Sequence, residues 1–181
     1  MPSHYSFSEY SAQWPALFER EAERLHGILD AELVAVHHIG STSVPGLAAK
    51  AVIDMLPVVR DIDRIDGRAD ELIRDGYQSW GENGLVGRRL FTKDDDGRRT
   101  HNIHIYAVGH PDIERHLAFC AYLRCHKNVR DEYEALKREV YARHPNDIAA
   151  YCDGKDAWIK RMEPVALKWY RTRTNCECGG V

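Results

Sequence analysis

The sequence predicts a mixed α/β fold, of the α+β kind, in which helices flank a small mixed sheet and a helical part follows. Two short apolar runs, at 33–39 and 51–59, indicate buried strands. Apolar residues at helical spacing precede the first run. From His110 onward only the helical spacing remains. This order predicts helices packed on a sheet, with further helices toward the C-terminus.

The first predicted element is an amphipathic helix at residues 15–29. Its apolar side chains recur at intervals of 4, 3 and 4 residues: Phe18, Ala22, Leu25 and Leu29. The strand at 33–39 follows and stops at Gly40, and the strand at 51–59 begins eleven residues after that glycine. The Gly, Ser, Thr and Pro residues between the two strands predict a loop.

A surface helix is predicted at 62–75, ending near Gly76. Two strands follow, at 88–92 and 102–108. We expect residues 93–97 to join them as a hairpin, because their Asp-Gly pair supplies the positive φ that a tight turn needs.

Helices account for the rest of the chain. Val129, Tyr133, Leu136 and Val140 repeat the helical spacing. A last helix at 148–170 is expected to bend at Pro164. At 181 residues, without a repeat or a linker, the chain predicts one domain over 1–175. Cys176 and Cys178 lie in a predicted flexible tail, 176–181.

The composition limits the class of function. The formal net charge is −3, which argues against a broad nucleic-acid surface, because such surfaces need Lys and Arg to neutralise phosphates. No apolar stretch approaches the roughly 18 residues of a membrane span, and no export signal is evident at the N-terminus. The five cysteines are a poor disulfide framework. We therefore expect a cytoplasmic protein that binds a small molecule, and neither a nucleic acid nor a membrane.

The segment from His38 to Asp54 indicates a site. Its Gly40-Ser41 corner offers backbone N–H groups and a hydroxyl that can meet a phosphate. Asp54 lies in an apolar strand, where a carboxylate needs a partner or a cation. Taken singly, each feature also has a structural explanation, since Gly-Ser turns are common and a strand Asp can pair with Arg. Their order and spacing together favour a ligand site.

This segment resembles the GrpB family, whose members carry His-Ile-Gly-Ser-Thr, Pro-Gly-Leu, Ala-Lys and Ile-Asp in the same order. The similarity runs from about residue 7 to 169. It includes Trp14, Phe18, Arg99, His101, His104, Ile105, Tyr122, Leu123, Arg124, Leu136, Lys137, Tyr151, Lys155 and Ile159. The resemblance implies a nucleotidyltransferase-like, polymerase-β-like fold. It also implies a nucleotide-binding corner at Gly40-Ser41 and a metal carboxylate at Asp54.

The chain departs from the metal-binding pattern that this resemblance implies. Active nucleotidyltransferases carry a second acid two residues after the first and a third on a later strand, and these acids hold two divalent ions. Leu56 takes the second place here. The later strand reads His101-Asn102-Ile103-His104, and imidazole prefers zinc, nickel or iron to magnesium. The expected cofactor is a divalent cation, magnesium or a transition metal, held by Asp54 and His104.

His104 and His101 are the candidate catalytic partners of Asp54. Alternation along a strand puts Asn102 and His104 on one face and His101 on the other. We expect His104 to face Asp54, as a metal ligand or general base, and keep His101 as the alternative. For either histidine, a purely structural hydrogen bond is the competing explanation.

Basic residues around the hairpin turn indicate a further anion contact. Arg88, Arg89, Lys93, Arg98 and Arg99 lie on its two sides, although such charges also keep an exposed hairpin soluble. The predicted ligand contacts are His38, Gly40, Ser41, Thr42, Lys50, Arg89 and Lys93. Arg124, Lys137 and Lys155 are further candidates, with a solvated helix face as the alternative.

The sequence is compatible with three functions. The first is a nucleotidyl or other phosphoryl-group transferase acting on a phosphorylated small molecule. The second is an accessory or binding module without transfer chemistry, as the GrpB-like domains fused to dephospho-coenzyme A kinase imply. The third is an enzyme dependent on a transition metal bound by Asp54 and His104.

Overall fold

The computed structural model describes residues 6–173. Its main element is a five-stranded mixed sheet in the order β2-β4-β7-β6-β5. The strands are β2 (Leu33–Ile39), β4 (Ile53–Val59), β5 (Tyr77–Ser79), β6 (Arg88–Asp95) and β7 (Arg98–Ala107). β4 and β7 are parallel, and the other neighbours are antiparallel. Two short strands, β1 (Phe7–Ser8) and β3 (Ala49–Lys50), form a separate antiparallel pair.

Six helices accompany these strands in the described part of the chain. They are α1 (Trp14–Leu29), α2 (Asp63–Asp66), α3 (Ala69–Arg74), α4 (Pro111–Cys125), α5 (Lys127–Arg143) and α6 (Ile148–Thr172). Single turns of 3-10 helix occur at Asp30–Glu32 and Ser41–Ser43. None of the described helices is long and apolar enough to cross a bilayer.

The sheet has two faces with different partners. On the α1 face, Met55 and Ile103 pack with Phe18 of α1 in the main core. On the α4 face, Leu56 and Tyr106 pack with Cys120 of α4. Side chains alternate along each strand, so every strand residue is assigned to one face. This alternation decides which candidate residues meet.

The loop at residues 40–48 lies between the sheet and the C-terminal helices. Val44 and Leu47 are fully buried there. They pack with Leu123, Tyr133 and Trp158 of α4, α5 and α6. The helical part therefore closes over the end of β2, where the sequence predicted a ligand site.

The predicted α1 and the first strand agree with the structure. The second strand begins at Ile53 instead of 51, because the chain just before it pairs with the N-terminal strand β1. The single helix predicted at 62–75 is wrong: α2 and α3 are separate, and Gly67, a weak helix former, ends the first. β5 was missed, because it has only three residues.

The predicted hairpin is correct in place and longer than expected. β6 continues to Asp95 and β7 begins at Arg98, since Asp94 and Arg99 pair across the strands. The turn residues Asp96 and Gly97 have φ of 47° and 73°, the backbone that an Asp-Gly turn adopts. Helix α6 continues through Pro164 to Thr172. The predicted tail at 176–181 lies outside the described residues.

Candidate functional site

The corner at the end of β2 lies directly against the Asp54 carboxylate. Gly40 has φ of 70°, and a β-carbon there would overlap Oδ2 of Asp54 and lie 3.0 Å from its Cγ. Only glycine permits both this backbone and this approach. A single turn of 3-10 helix, Ser41–Ser43, then leads the chain away. The corner and the carboxylate thus form one structural unit.

A chain of hydrogen bonds orients Asp54. The amide nitrogen of Asn102 donates to Oδ1 of Asp54 over 2.8 Å, and Nη1 of Arg99 donates to the amide oxygen of Asn102 over 3.2 Å. Arg99 also pairs with Asp94. Since the guanidinium can only donate, it fixes which end of the Asn102 amide faces Asp54. The residue opposite Asp54 on β7 is therefore a donor and not an acid.

His104 is the second neighbour of Asp54. Its Nε2 lies 3.9 Å from Oδ1, and its Nδ1 lies 3.4 Å from Nη1 of the buried Arg88. Burial by itself raises the pKa of Asp54, but the contacts with His104 and Asn102 and the charge of Lys50 outweigh it, so the pKa lies below its usual value. The structure brings Asp54 and His104 together, as the alternation along β7 predicted.

A pocket of about 310 Å³ opens above this corner. On the sheet side it is lined by Gly40, Ser41, Thr42, Lys50, Asp54 and Asn102. The opposite wall comes from the C-terminal helices, mainly through Arg115, His116, Phe119, Tyr133, Tyr151 and Lys155. The volume lies in the range of small-ligand pockets.

Two lysines, Lys50 and Lys155, line the pocket beside Arg115, whose charge is paired with Asp112 and Glu163. Nζ of Lys155 lies 4.2 Å from the centroid of the Tyr151 ring, and Nζ of Lys50 lies 5.6 Å from it. Burial, the largest cause, and the charge of Lys50 lower the pKa of Lys155 to about 8, while Cys152 and Asp54 act in the opposite direction. The folded protein therefore loses some stability when Lys155 is charged, because burial disfavours the charged form.

Two other candidate anion contacts bind the protein itself. Nζ of Lys137 donates to the carbonyl of Ala48, and Nε of Arg124 donates to the carbonyl of Ser43 over 3.1 Å. Glu134 accepts from the Ala48 N–H over 3.0 Å. Burial, with Lys155 nearby, lowers the pKa of Lys137 to about 7. These side chains hold loop 40–48 against α4 and α5.

His101 and Lys93 lie on the α1 face, away from Asp54. Nδ1 of His101 is 3.0 Å from the Thr100 hydroxyl, and its buried Nε2 has no hydrogen-bond partner among the described residues. Lys93 donates to Glu21 of α1 over 2.8 Å. The alternation that turns His104 toward Asp54 turns His101, the alternative partner, to the opposite face, and Lys93, a predicted ligand contact, lies on that face too.

His38 and Arg89 are also on the α1 face. The imidazole of His38 stacks on the ring of Phe18, with the ring centroids 4.8 Å apart. Its Nε2 lies 3.0 Å from the Thr42 hydroxyl. Burial lowers the pKa of His38 to about 4. Arg89 binds Asp66 through two nitrogens, over 2.6 and 2.7 Å. His38 therefore supports the loop from beneath, and Arg89 pairs with α2 instead of lining the pocket.

Arg115 and His116 of α4 line the pocket but were not predicted from the sequence. Arg115 binds Asp112 over 2.8 Å and also pairs with Glu163. Burial and the charge of Arg115 lower the pKa of His116 to about 3, which makes it a neutral imidazole. The available signal was helical spacing, because His116 shares one face of α4 with Phe119 and Cys120.

The donor set at Asp54 does not fit two divalent ions. Leu56, two residues along β4, is fully buried in the apolar cluster of the α4 face. Asn102, the register partner of Asp54 on β7, turns its NH₂ group toward Asp54. Within residues 6–173, no three His, Cys, Asp or Glu side chains are placed to hold a metal ion. Asp54 remains as one carboxylate with His104 beside it.

Comparisons of sequence relate the chain to known proteins. The sequence model of a family described as GrpB protein matches residues 5–164. The UPF0157 protein YqkA of Bacillus subtilis is 46% identical over 166 residues, which are 92% of this chain and 48% of that protein. A dephospho-CoA kinase of Mycolicibacterium paratuberculosis is 29% identical over 182 residues, 87% of this chain and 44% of the kinase. The chain thus spans about half the length of each of these two relatives.

Solved structures give the same relationship at the level of the fold. The GrpB protein of Enterococcus faecalis has a TM-score of 0.88 and 43% identity, covering 92% of this chain and 99% of that one. The GLD-2/RNP-8 complex has a TM-score of 0.60 and 9% identity, and the match covers 96% of this chain and 72% of that one. The poly(U) polymerase Cid1 has a TM-score of 0.50 and 11% identity, and the match covers 76% of this chain and 43% of that one. The fold is nucleotidyltransferase-like, with a polymerase-β-like sheet.

Proposed function

Because this chain belongs to the GrpB family, we propose that its pocket binds a nucleotide or another phosphorylated small molecule. The observation that carries this proposal is Lys155, a half-buried lysine facing the Gly40-Ser41 corner across a pocket of about 310 Å³. The corner and the lysine are on opposite walls of one space. A phosphate between them would meet both.

The electrostatics of Lys155 favour an anion. Its described contact is the ring of Tyr151, which compensates an ammonium charge less than a carboxylate does. Its pKa is lowered to about 8 by burial. A bound phosphate would supply the missing negative charge and raise that pKa again. Lys50 and the Ser41 hydroxyl, on the sheet side, would complete the contacts.

A divalent cation fits this proposal as a single ion accompanying the phosphates. Magnesium is often held by one carboxylate together with substrate phosphates. Asp54 is the residue that would hold it, and the ion would neutralise charge on the phosphate chain. Group transfer is the finer part of the proposal. His104, whose Nε2 lies 3.9 Å from Asp54, is the group that would accept a proton from an attacking hydroxyl while Asp54 holds the ion.

A specific observation also favours a second candidate, a binding or accessory module without transfer chemistry. The group that faces Asp54 from its register position on β7 is the amide of Asn102, held by Arg99, and not a second carboxylate. Relatives named dephospho-CoA kinase are more than twice as long as the matched segment, so this fold occurs joined to further chain. In that case the pocket would hold a ligand for a partner enzyme.

Thermal and calorimetric titrations with ATP, UTP, tripolyphosphate and dephospho-CoA, each with magnesium or EDTA, test the proposal. A ligand at 100 times its Kd should stabilise the fold by about 2.7 kcal/mol. Lys155→Met should lose most of this effect. Lys160→Met is the matched control, since Lys160 is an exposed lysine of the same helix paired with Asp156.

Two results would contradict phosphate binding: no stabilisation of the wild type at millimolar ligand, or equal stabilisation of Lys155→Met.

Release of pyrophosphate from ATP in the presence of small hydroxyl acceptors distinguishes the transferase from the accessory module. A transferase releases it and Asp54→Asn abolishes the release, whereas an accessory module binds ATP and releases none.

A further inference from the structure

Trp80 is a large aromatic side chain with 51% of its surface exposed. It is nevertheless held in place. Its Nε1 donates to the Thr92 hydroxyl over 2.8 Å, and its backbone N–H donates to Leu90 of β6 over 2.9 Å. The one polar atom of the indole is therefore satisfied, and what remains exposed is aromatic surface. A ring already fixed in this way loses little conformational entropy when another ring stacks on it.

The indole lies on the same face of the sheet as Asp54. Ser79 pairs with Phe91, which belongs to the core on the α1 face, so alternation puts Trp80 on the α4 face. Thr92 pairs in register with Asn102, and Asn102 is bonded to Asp54. Two strand spacings, about 10 Å, separate Thr92 on β6 from Asp54 on β4.

The residues that lead from the ring toward the pocket are polar. Thr92, which is buried beneath the indole, pairs in register with the half-buried Asn102, and the amide oxygen of Asn102 accepts from the half-buried Arg99. The amide and guanidinium groups at this surface suit the hydroxyls of a sugar. A nucleoside phosphate has the matching order of parts, with a flat ring, a hydroxylated sugar and an anionic end, and is long enough to bridge the distance.

We propose that Trp80 is the stacking platform for the aromatic ring of the ligand, a nucleobase, while its phosphates lie between Ser41 and Lys155. This inference rests on the proposed function and narrows it, because it selects nucleotides over phosphates that carry no ring. Stacking contacts only the face of the base and makes no hydrogen bond to its edges. The platform therefore accepts purine and pyrimidine nucleotides alike.

Calorimetry with ATP, UTP and tripolyphosphate on wild type, Trp80→Ala and Trp80→Phe tests the inference. Trp80→Ala should weaken both nucleotides by roughly fivefold or more and leave tripolyphosphate within about twofold. Trp80→Phe should keep most of the affinity, since its ring still stacks. Val86→Ala is the matched control: Val86 is 83% exposed in the same loop, and its removal should change nothing.

The chain has four tryptophans, so the indole N–H resonances offer a second readout on the unaltered protein. The signal that Trp80→Phe removes should shift with ATP and not with tripolyphosphate. Suppose that tripolyphosphate binds and that Trp80→Ala either leaves nucleotide affinity unchanged or weakens the binding of all three ligands equally. That result would contradict stacking of the base on Trp80 and leave phosphate binding intact. If neither nucleotides nor tripolyphosphate bind the wild type, phosphate binding and the platform both fall.

Discussion

Asn102 donates a hydrogen bond from its amide nitrogen to Oδ1 of Asp54, over 2.8 Å, across two parallel strands. The residues are register partners on β7 and β4, and Arg99 fixes the amide from its other end. A carboxylate at this position would give Asp54 the second acid that a pair of divalent ions requires. The amide instead stabilises Asp54 as a single charged group.

Asn102→Asp should convert this hydrogen bond into a repulsion between carboxylates. In EDTA we expect the free energy of unfolding to fall by about 1–3 kcal/mol, because the donor is lost and two like charges meet. Manganese or magnesium should restore stability by binding between the two acids. Denaturant unfolding with and without the cations measures both effects.

The control is Asn102→Ala, which loses the donor without adding a charge. It should be destabilised, and it should respond to cations no more than the wild type does. An equal cation response of the two variants would mean that position 102 cannot contribute to a metal site.

Gly40→Ala should damage the site more than other glycine replacements in the same loop. The added β-carbon meets the Asp54 carboxylate, and φ of 70° is strained for alanine. Gly46→Ala is the control, because Gly46 has φ of 77° and its β-carbon would lie 4.0 Å from Arg130. Both variants carry the backbone cost of roughly 1–2 kcal/mol, and the excess for Gly40→Ala reports the collision.

The double variant Gly40→Ala with Asp54→Ala tests the cause of that excess. Removing the carboxylate should recover part of the stability lost at Gly40, which urea unfolding of the four proteins measures as a coupling energy. Purely additive losses would show that the collision is relieved elsewhere.

Lys155 should make stability depend on pH in the alkaline range. Its pKa is about 8 in the folded protein and about 10.4 in an unfolded chain. Between these values the unfolded chain binds more protons, so stability rises with pH from about 8 to 10. Lys155→Met should reduce this slope and be more stable than wild type at pH 7, as measured by denaturant unfolding from pH 6 to 10. An unchanged slope would show that Lys155 keeps an ordinary pKa.

The same titration should govern binding of tripolyphosphate. Above pH 8 the free protein loses the charge on Lys155, so affinity should fall as pH rises, with proton uptake on binding. Calorimetry in buffers of different ionisation enthalpy measures that uptake. Lys160→Met should retain it and Lys155→Met should lose it.

Lys137→Met should loosen loop 40–48. The lysine is buried and donates to the carbonyl of Ala48, so methionine leaves that carbonyl without its donor, at a cost of about 1–3 kcal/mol. Lys127→Met on the same helix is the control, since its pair with Asp131 is exposed and contributes within about 0.5 kcal/mol. Amide exchange at residues 40–48 should quicken only in Lys137→Met. Equal exchange in both variants would contradict the contact.

The sequence by itself determined the elements with strong periodicity and the segment proposed as the site. Helix α1, strand β2 and the hairpin of β6 and β7 follow from apolar spacing and from Asp-Gly turn chemistry, which act over a few residues. The corner at Gly40 and its relation to Asp54 were visible in the motif. Alternation along one strand was also enough to separate His104 from His101.

Only the tertiary structure decided which charged residues share the pocket. Lys93 was a predicted ligand contact and Lys155 only a further candidate, yet Lys93 lies on the α1 face with Glu21, whereas Lys155 lines the pocket. The difference depends on strand register and on how α6 packs over the loop. Lys93 and Glu21 are 72 residues apart in the sequence, and Lys155 is more than a hundred residues from Ser41, so no local spacing encodes either contact.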